Sequence, residues 1–207
     1  MNRRQILVTT GAIAALATGT SAGLLPAVAA AQTAAASGDR VLGAPDAPIE
    51  IVEYASLTCP HCARFHADTL PSIKKNWIEP GKARLVYRDY PLDGLALQAA
   101  ALARCFEGDR YFGFLDALFR SQQQWARDSN PQQALKQIAA LAGLDGDEAE
   151  RCMNDADVQR QIIEGQRVAA NEYGIRSTPS VMINGKLFRG AATAENLHNE
   201  LTKAGSS

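Results

Sequence analysis

"YASLTCPHCARFH", residues 54–66, puts Cys59 and Cys62 two residues apart, directly after a short apolar run. The run before it, "APIEIVEYAS", carries Ile49, Ile51, Val52 and Tyr54 after Pro48 and reads as a buried β-strand. From Pro60 to about Trp77 the apolar spacing turns helical, with Phe65, Leu70, Ile73 and Trp77 on roughly one face and a kink expected at Pro71. "EPGK" is a turn, and "ARLVYRDYP" is a second strand. Strand, helix, strand at this spacing is a βαβ unit with a parallel pair and a right-handed crossover.

A strand ending near Ser56 and a helix starting near Pro60 place Cys59 at the helix N-terminus. Unpaired backbone N–H groups and the helix dipole favour negative charge there. Pro60 suits the first turn because it has no N–H to lose. His61 adds a positive charge or a donor beside the sulfur, and Cys62 lies one turn along, within bonding reach. These factors stabilise a thiolate at Cys59, so its disulfide is a strong oxidant and Cys59 a good leaving group.

Other uses of the pair are weaker. Zinc asks for four ligands, yet there is no second Cys-Xaa-Xaa-Cys, and Cys105, Cys152, His66 and His198 stand at no zinc-like spacing. An inert disulfide across two residues is geometrically tight and closes almost no loop.

Beyond Asp93 the chain reads as helices only, to about Asp157. "ALQAAALARCFEG" and "RYFGFLDALFRSQQQW" have apolar residues at three- and four-residue steps, and Phe112, Phe114, Leu115, Leu118 and Phe119 read as helical core. Asn130-Pro131 starts another helix, and "DGDEAERCM" one with an acidic first turn. A helix from about Val158 to Tyr173 ends at Gly174. "PSVMINGKLFRG" then reads as a hairpin around Asn184-Gly185, followed by a helix capped by Thr193. Arg84 and Arg88, four apart on a strand, are expected to share a solvated face. His66, one turn after Cys62, reads either as a rim residue of the site or, the favoured expectation, as a solvated histidine, and His198 is expected at the surface.

The first 31 residues differ from the rest. Two arginines, an Ala/Leu-rich run and small residues ending in Ala-Xaa-Ala at Ala29 or Ala31 form the three parts of a signal peptide. "NRRQIL" resembles a twin-arginine export signal, departing from it at Asn2, Ile6 and Val8, and the general secretory route stays open. Residues 32–47 are expected to be a flexible leader. Export allows disulfides that a cytosol would reduce. A formal net charge of -1 over 207 residues gives no sign of a nucleic-acid partner.

Cys59-Pro60-His61-Cys62 after a strand, a helical block, and "STPSVMINGK" together resemble the DsbA family of periplasmic thiol-disulfide oxidoreductases, over about Val41 to Lys203. The resemblance implies an α/β, thioredoxin-like fold over 48–92 and 165–204, interrupted by a helical insertion over 93–164. It implies that Cys59 is the exposed nucleophile, Cys62 the buried resolving cysteine, and Pro179 a cis-proline facing the disulfide. Thr178, before that proline, would offer backbone groups to an extended substrate peptide. Glu53, six residues before Cys59, matches a buried acid that takes the Cys62 proton.

The resemblance also implies folding secreted proteins as substrates, a membrane reoxidant of the DsbB or quinone-linked kind, and no metal or organic cofactor. Nothing in the sequence demands more than a monomer. Cys105 and Cys152 form a second pair that the simplest members lack. In an exported chain with an even cysteine count they are expected to bond, with two separate buried thiols or an electron relay as alternatives. An isomerase or reductase of the same fold, and a non-catalytic assembly protein with a stable disulfide, are the rival functions.

Overall fold

A computed structural model describes residues 39–206. The signal-peptide reading of 1–31 and the first part of the leader lie outside the described residues. Strand β2 (Ile49–Ala55) is the centre of the fold, and all seven of its residues are buried. It pairs in parallel with β3 (Ala83–Asp89) and antiparallel with β4 (Ser180–Ile183). The strand order is β1-β3-β2-β4-β5, with β1 (Arg40–Leu42) and β5 (Lys186–Leu187) antiparallel at the edges.

A strand buried on both faces needs apolar side chains at both parities. Ile49 and Ile51 point to one face and pack with Leu70, Ile73, Trp77, Leu197 and Leu201. Val52 and Tyr54 point to the other, against Ala169 and Ile175. Glu53 shares the parity of Ile51, so a carboxyl enters the layer between sheet and helices.

The first crossover is α1 (Pro60–Arg64), a π-helical turn (Phe65–Thr69), α2 (Leu70–Ile73) and a second π-helical turn (Lys74–Ile78). Pro71 therefore does not simply kink a regular helix. The wide turn before it sends the Leu70 N–H to Phe65 O, five residues back, and Pro71 sits in the first turn of α2, where a missing N–H is tolerated.

The helical insertion follows β3: α3 (Gly94–Ala103), α4 (Gly108–Arg120), α5 (Gln122–Trp125), α6 (Pro131–Leu141) and α7 (Gly146–Met153). Asp93, Asn130 and Asp145 cap α3, α6 and α7 with side-chain oxygens, which fixes where each helix begins. The aromatic face of α4 is buried as its spacing predicts. Cys105, in the turn after α3, is bonded to Cys152 of α7 across 47 residues.

Helix α8 (Ala156–Glu172) covers the second face of the sheet, and α9 (Ala194–Ala204) the first. Between them Asn184 and Gly185 hold φ of 46° and 76°, the left-handed pair that a two-residue hairpin requires. The fold is thioredoxin-like with a helical insertion, as the sequence predicts.

Two local expectations change. Arg40–Leu42, inside the 32–47 stretch read as leader, is a strand on β3, which offers it an unpaired edge. Arg84 and Arg88 are half-buried and ion-paired, Arg84 with Glu50 at 2.7 Å and Arg88 with Asp39 at 2.8 Å. Each guanidinium lies over a strand beside a carboxylate that also leaves water, so pairing replaces solvation. Among the described residues no helix is long and apolar enough to cross a membrane.

Candidate active site

The chain leaves β2 at Ala55 and turns through Ser56, Leu57 and Thr58 into Cys59. Cys59 is the N-cap of α1, with extended backbone (φ −80°, ψ 118°), and Pro60 follows in the first turn. The Cys59 carbonyl accepts from the backbone N–H groups of Cys62 and Ala63 at 3.1 and 3.2 Å. Two anchors hold the turn. Thr58 Oγ1 donates to Asp93 Oδ2 at 2.7 Å, and Gln122 Nε2 donates to the carbonyls of Leu57 and Cys59 at 2.8 and 2.9 Å. Asp93 is also the cap of α3, so the insertion and the turn are tied together.

Cys59 and Cys62 are both unbonded thiols. Cys59, expected to be exposed, is only 5% so, because the turn folds beneath the loop before β4. Cys62 is fully buried. The Thr178–Pro179 peptide is cis, and the Thr178 carbonyl oxygen lies 3.4 Å from Cys59 Sγ.

The hydrogen bond from the Cys62 thiol is the main force lowering the Cys59 pKa, to about 5. Burial opposes it, while the Thr178 side chain and the N–H groups of Cys62 and His61 add to it. With the thiol protonated, Sγ–H faces the Thr178 carbonyl, and the buried Thr178 hydroxyl has no partner. That hydroxyl is therefore placed to turn as a donor when the proton leaves. Cys62 moves the opposite way. Its hydrogen bond to Cys59, its burial and the nearby Glu53 carboxylate all push its pKa far up. Pro60 and His61 are exposed. His61 acts on the sulfur through its backbone N–H rather than through the imidazole the sequence reading invoked.

Beneath the cysteines Glu53 is 0% exposed. Its Oε1 lies 3.1 Å from His66 Nε2, and its Oε2 has no hydrogen-bond partner. His66 Nδ1 lies 3.3 Å from Asp116 Oδ1, and Asp116 Oδ2 accepts from Lys74 Nζ at 2.9 Å. His66 is thus buried, not solvated as its sequence position suggested, and its ring stacks on Phe119 at 4.0 Å between centroids. Burial opposes its positive charge, but Glu53 and Asp116 outweigh that and push its pKa up to about 9. Among the described residues no three His, Cys, Asp or Glu side chains converge as a metal site.

A profile of the family described as Thioredoxin matches residues 35–203, most of the chain. The chain is 32% identical over 151 residues to a putative protein-disulfide oxidoreductase of Rickettsia typhi, covering 72% of this chain and 56% of that protein. Its structure resembles that of Wolbachia pipientis alpha-DsbA1 with a TM-score of 0.75 and 35% identity, covering 81% of this chain and 91% of the other. The chain belongs to the DsbA family of thioredoxin-fold proteins. A protein-disulfide isomerase from Novosphingobium aromaticivorans is also similar, at TM-score 0.74 and 25% identity over 82% of this chain and 98% of that one. The chain spans just over half the length of the curated Rickettsia relative.

In this DsbA-family chain Cys59, Pro60, His61, Cys62, Glu53, Thr178 and Pro179 all meet at one end of β2, β4 and α1. Sequence reading missed Gln122, Asp116 and Lys74, and it misplaced His66. The one usable signal was the four-residue step from Cys62 to His66, which puts both on one helical face.

Proposed function

We propose that the chain is an exported thiol-disulfide oxidoreductase that donates the Cys59–Cys62 disulfide to folding secreted proteins. The observation that carries this is the placement of the pair, Cys59 capping α1 with its sulfur 3.4 Å from the Thr178 carbonyl oxygen and Cys62 fully buried, which lowers the Cys59 pKa to about 5 and pushes that of Cys62 far up. A substrate thiolate attacks Cys59 Sγ, a new S–S bond forms there, and the Cys59–Cys62 bond breaks. Cys62 leaves as a thiolate in a site that disfavours its charge, so it takes a proton, for which Glu53 is the nearby carrier. A second substrate thiolate then attacks the substrate sulfur of the mixed disulfide and expels Cys59, a good leaving group. Substrate loses two electrons and the cysteine pair gains them.

Thr178 and the cis Pro179 form the wall beside Cys59 along which an extended peptide adds by strand pairing. Pro60 and His61 shape the turn. The chemistry needs no metal or organic cofactor and works in a monomer. A membrane partner of the DsbB or quinone-linked kind takes the electrons away.

The test is the equilibrium potential of Cys59–Cys62 against glutathione, with a Cys105→Ser/Cys152→Ser variant to isolate the pair. A value more oxidising than about −180 mV supports donation of the disulfide. A value near that of thioredoxin, about −270 mV, overturns it in favour of a reductase or isomerase kept reduced by a partner. The isomerase reading has its own support in the Novosphingobium neighbour.

A further inference from the structure

Glu53 sits fully buried with one carboxylate oxygen unpartnered. A lone buried carboxyl takes up a proton rather than stay charged, and a neutral acid cannot serve as a base. Something must hold Glu53 ionised if it is to accept the proton of Cys62. The partner that does so in this chain is an imidazole reached from α1 by one helical step.

We propose that His66 is the positioning residue of the redox centre: held as an imidazolium between Glu53 and Asp116, it keeps Glu53 a carboxylate with Oε2 open to the Cys62 proton. This rests on the function proposed above and extends it to the residue that holds the proton carrier charged. When the Cys62 thiol attacks the mixed disulfide at Cys59, a Cys59–Cys62 bond forms and the partner sulfur leaves as a thiolate. The Cys62 proton goes to Glu53 Oε2. In the opposite direction the departing Cys62 takes a proton that comes from solvent by way of Glu53.

Every group that faces His66 agrees with this charge state. From β2 comes Glu53, at 3.1 Å, and from α4 comes Asp116, at 3.3 Å. Strand β3 contributes the Tyr87 ring, edge-on at 6.1 Å, whose hydroxyl is held neutral by its burial. Phe119 of α4 covers the ring face, and Phe65 of the same helical run lies edge-on. Two carboxylates, two aromatic hydrocarbons and a neutral phenol leave the imidazolium as the favoured form. Lys74 then balances the outer oxygen of Asp116 at 2.9 Å. The cluster runs outward to a cleft of about 720 Å³, lined by His66, Asp116, Lys74, Arg64, Asp68 and Arg120 among others. Solvent pH therefore reaches His66 through that cleft.

The test measures closure of the Cys59–Cys62 bond from the Cys59–glutathione mixed disulfide, by acid quench and mass spectrometry from about pH 5 to about pH 10. Wild type is compared with His66→Gln, whose amide still donates to Glu53 Oε1 but carries no charge. A positioning role predicts a closure rate at pH 7 that falls about tenfold or more and recovers as pH rises, because solvent base then takes the Cys62 proton directly. A loss that is the same at every pH marks a structural role and overturns the inference. Failure of Cys59 to form any mixed disulfide overturns the proposed function instead.

A second measurement reads the charge of His66 in the wild-type protein itself. The ¹⁵N shifts of His66 in the reduced wild-type protein are expected to report an imidazolium at pH 7, with loss of that charge moved to lower pH in Glu53→Gln. A neutral His66 at pH 7 in wild type overturns the inference.

Discussion

The two cysteine pairs share an element and differ in everything that sets its chemistry. Cys59 and Cys62 are two residues apart, inside one helical turn, and stand as thiols. Cys105 and Cys152 are 47 residues apart, on a turn and a helix of the insertion, and are bonded. Closing a loop of that length removes much of the freedom of the unfolded chain, whereas a two-residue loop removes almost none. Conversely, Cys59 receives backbone N–H groups from His61 and Cys62 and the hydrogen bond of the Cys62 thiol. A sulfur becomes reactive when its surroundings pay for the thiolate, and structural when its bond constrains the chain.

Removing each pair in turn and reading the same two quantities separates the two roles. Cys59→Ser is expected to abolish mixed-disulfide formation with glutathione, read by mass spectrometry, while leaving the Cys105–Cys152 bond intact. Cys62→Ser is expected to accumulate the mixed disulfide at Cys59. If Cys59→Ser still exchanges, the assignment of the attacking sulfur is wrong.

Cys105→Ser/Cys152→Ser should do the reverse. The chain-entropy relation for a 47-residue loop gives a loss of about 4 kcal/mol of unfolding free energy, checked by urea denaturation. Exchange at Cys59 should continue at a rate within about twofold of wild type if the second pair only braces the core that Cys152 shares with Cys59 and Cys62. A large drop in that rate would make the second pair part of the electron path.

The Cys59 thiolate has a pH signature. The folded pKa of Cys59, about 5, lies below its ordinary value of 9.0. The unfolded dithiol chain therefore holds more protons between those values, and folding of the dithiol form gains stability as pH rises. That gain is complete above about 9 and lost as pH falls through about 5. The absorbance of the thiolate near 240 nm, or the alkylation rate against pH, should show a midpoint near 5. A midpoint near 8 or 9 would erase the difference between the two pairs.

Much of this was readable from residues alone because it is local. Cys59 as a cap, Pro60 in the first turn and Asn184-Gly185 as a hairpin are decided by neighbours in sequence. His66 is the contrast. Its burial depends on Glu53, thirteen residues earlier, and Asp116, fifty residues later, and only the packing of α4 on the crossover brings them together. The strand Arg40–Leu42 stayed hidden for a like reason. Three residues carry too little periodicity, and its pairing is supplied by the free edge of β3. Gln122 reads as one of three consecutive glutamines, and nothing local singles it out.

Gln122 joins the two regions, and so it tests how independent they are. Its amide nitrogen satisfies the Leu57 and Cys59 carbonyls from inside the insertion. Gln122→Leu fills similar space and leaves the Leu57 carbonyl buried without that donor, while the Cys59 carbonyl keeps the N–H groups of Cys62 and Ala63. Such a loss costs about 1–3 kcal/mol, so unfolding free energy should fall by at least about 1 kcal/mol in urea. The turn that sets Cys59 against α1 would also loosen, raising the midpoint of its thiolate titration. A stability loss with an unchanged midpoint would mean that the insertion only braces the turn.

Thr178→Val is the smallest and most specific probe, because it removes a hydroxyl and keeps the shape. The hydroxyl is buried without a partner beside the protonated sulfur, and the Thr178 side chain contributes to lowering the Cys59 pKa. Its removal should therefore cost the folded protein little, since no hydrogen bond of the dithiol form is lost. What it should change is the thiolate, which loses one of several donors while the Cys62 thiol and the N–H groups of His61 and Cys62 remain. The Cys59 midpoint is expected to rise by less than about one pH unit, equivalent to about 1.4 kcal/mol or less. The carbonyl of residue 178 stays in place, so the wall beside the sulfur survives and any change in exchange rate should track the thiolate fraction alone. If the midpoint is unmoved, the hydroxyl never turns toward the sulfur, and the acidity of Cys59 belongs entirely to its own helical turn.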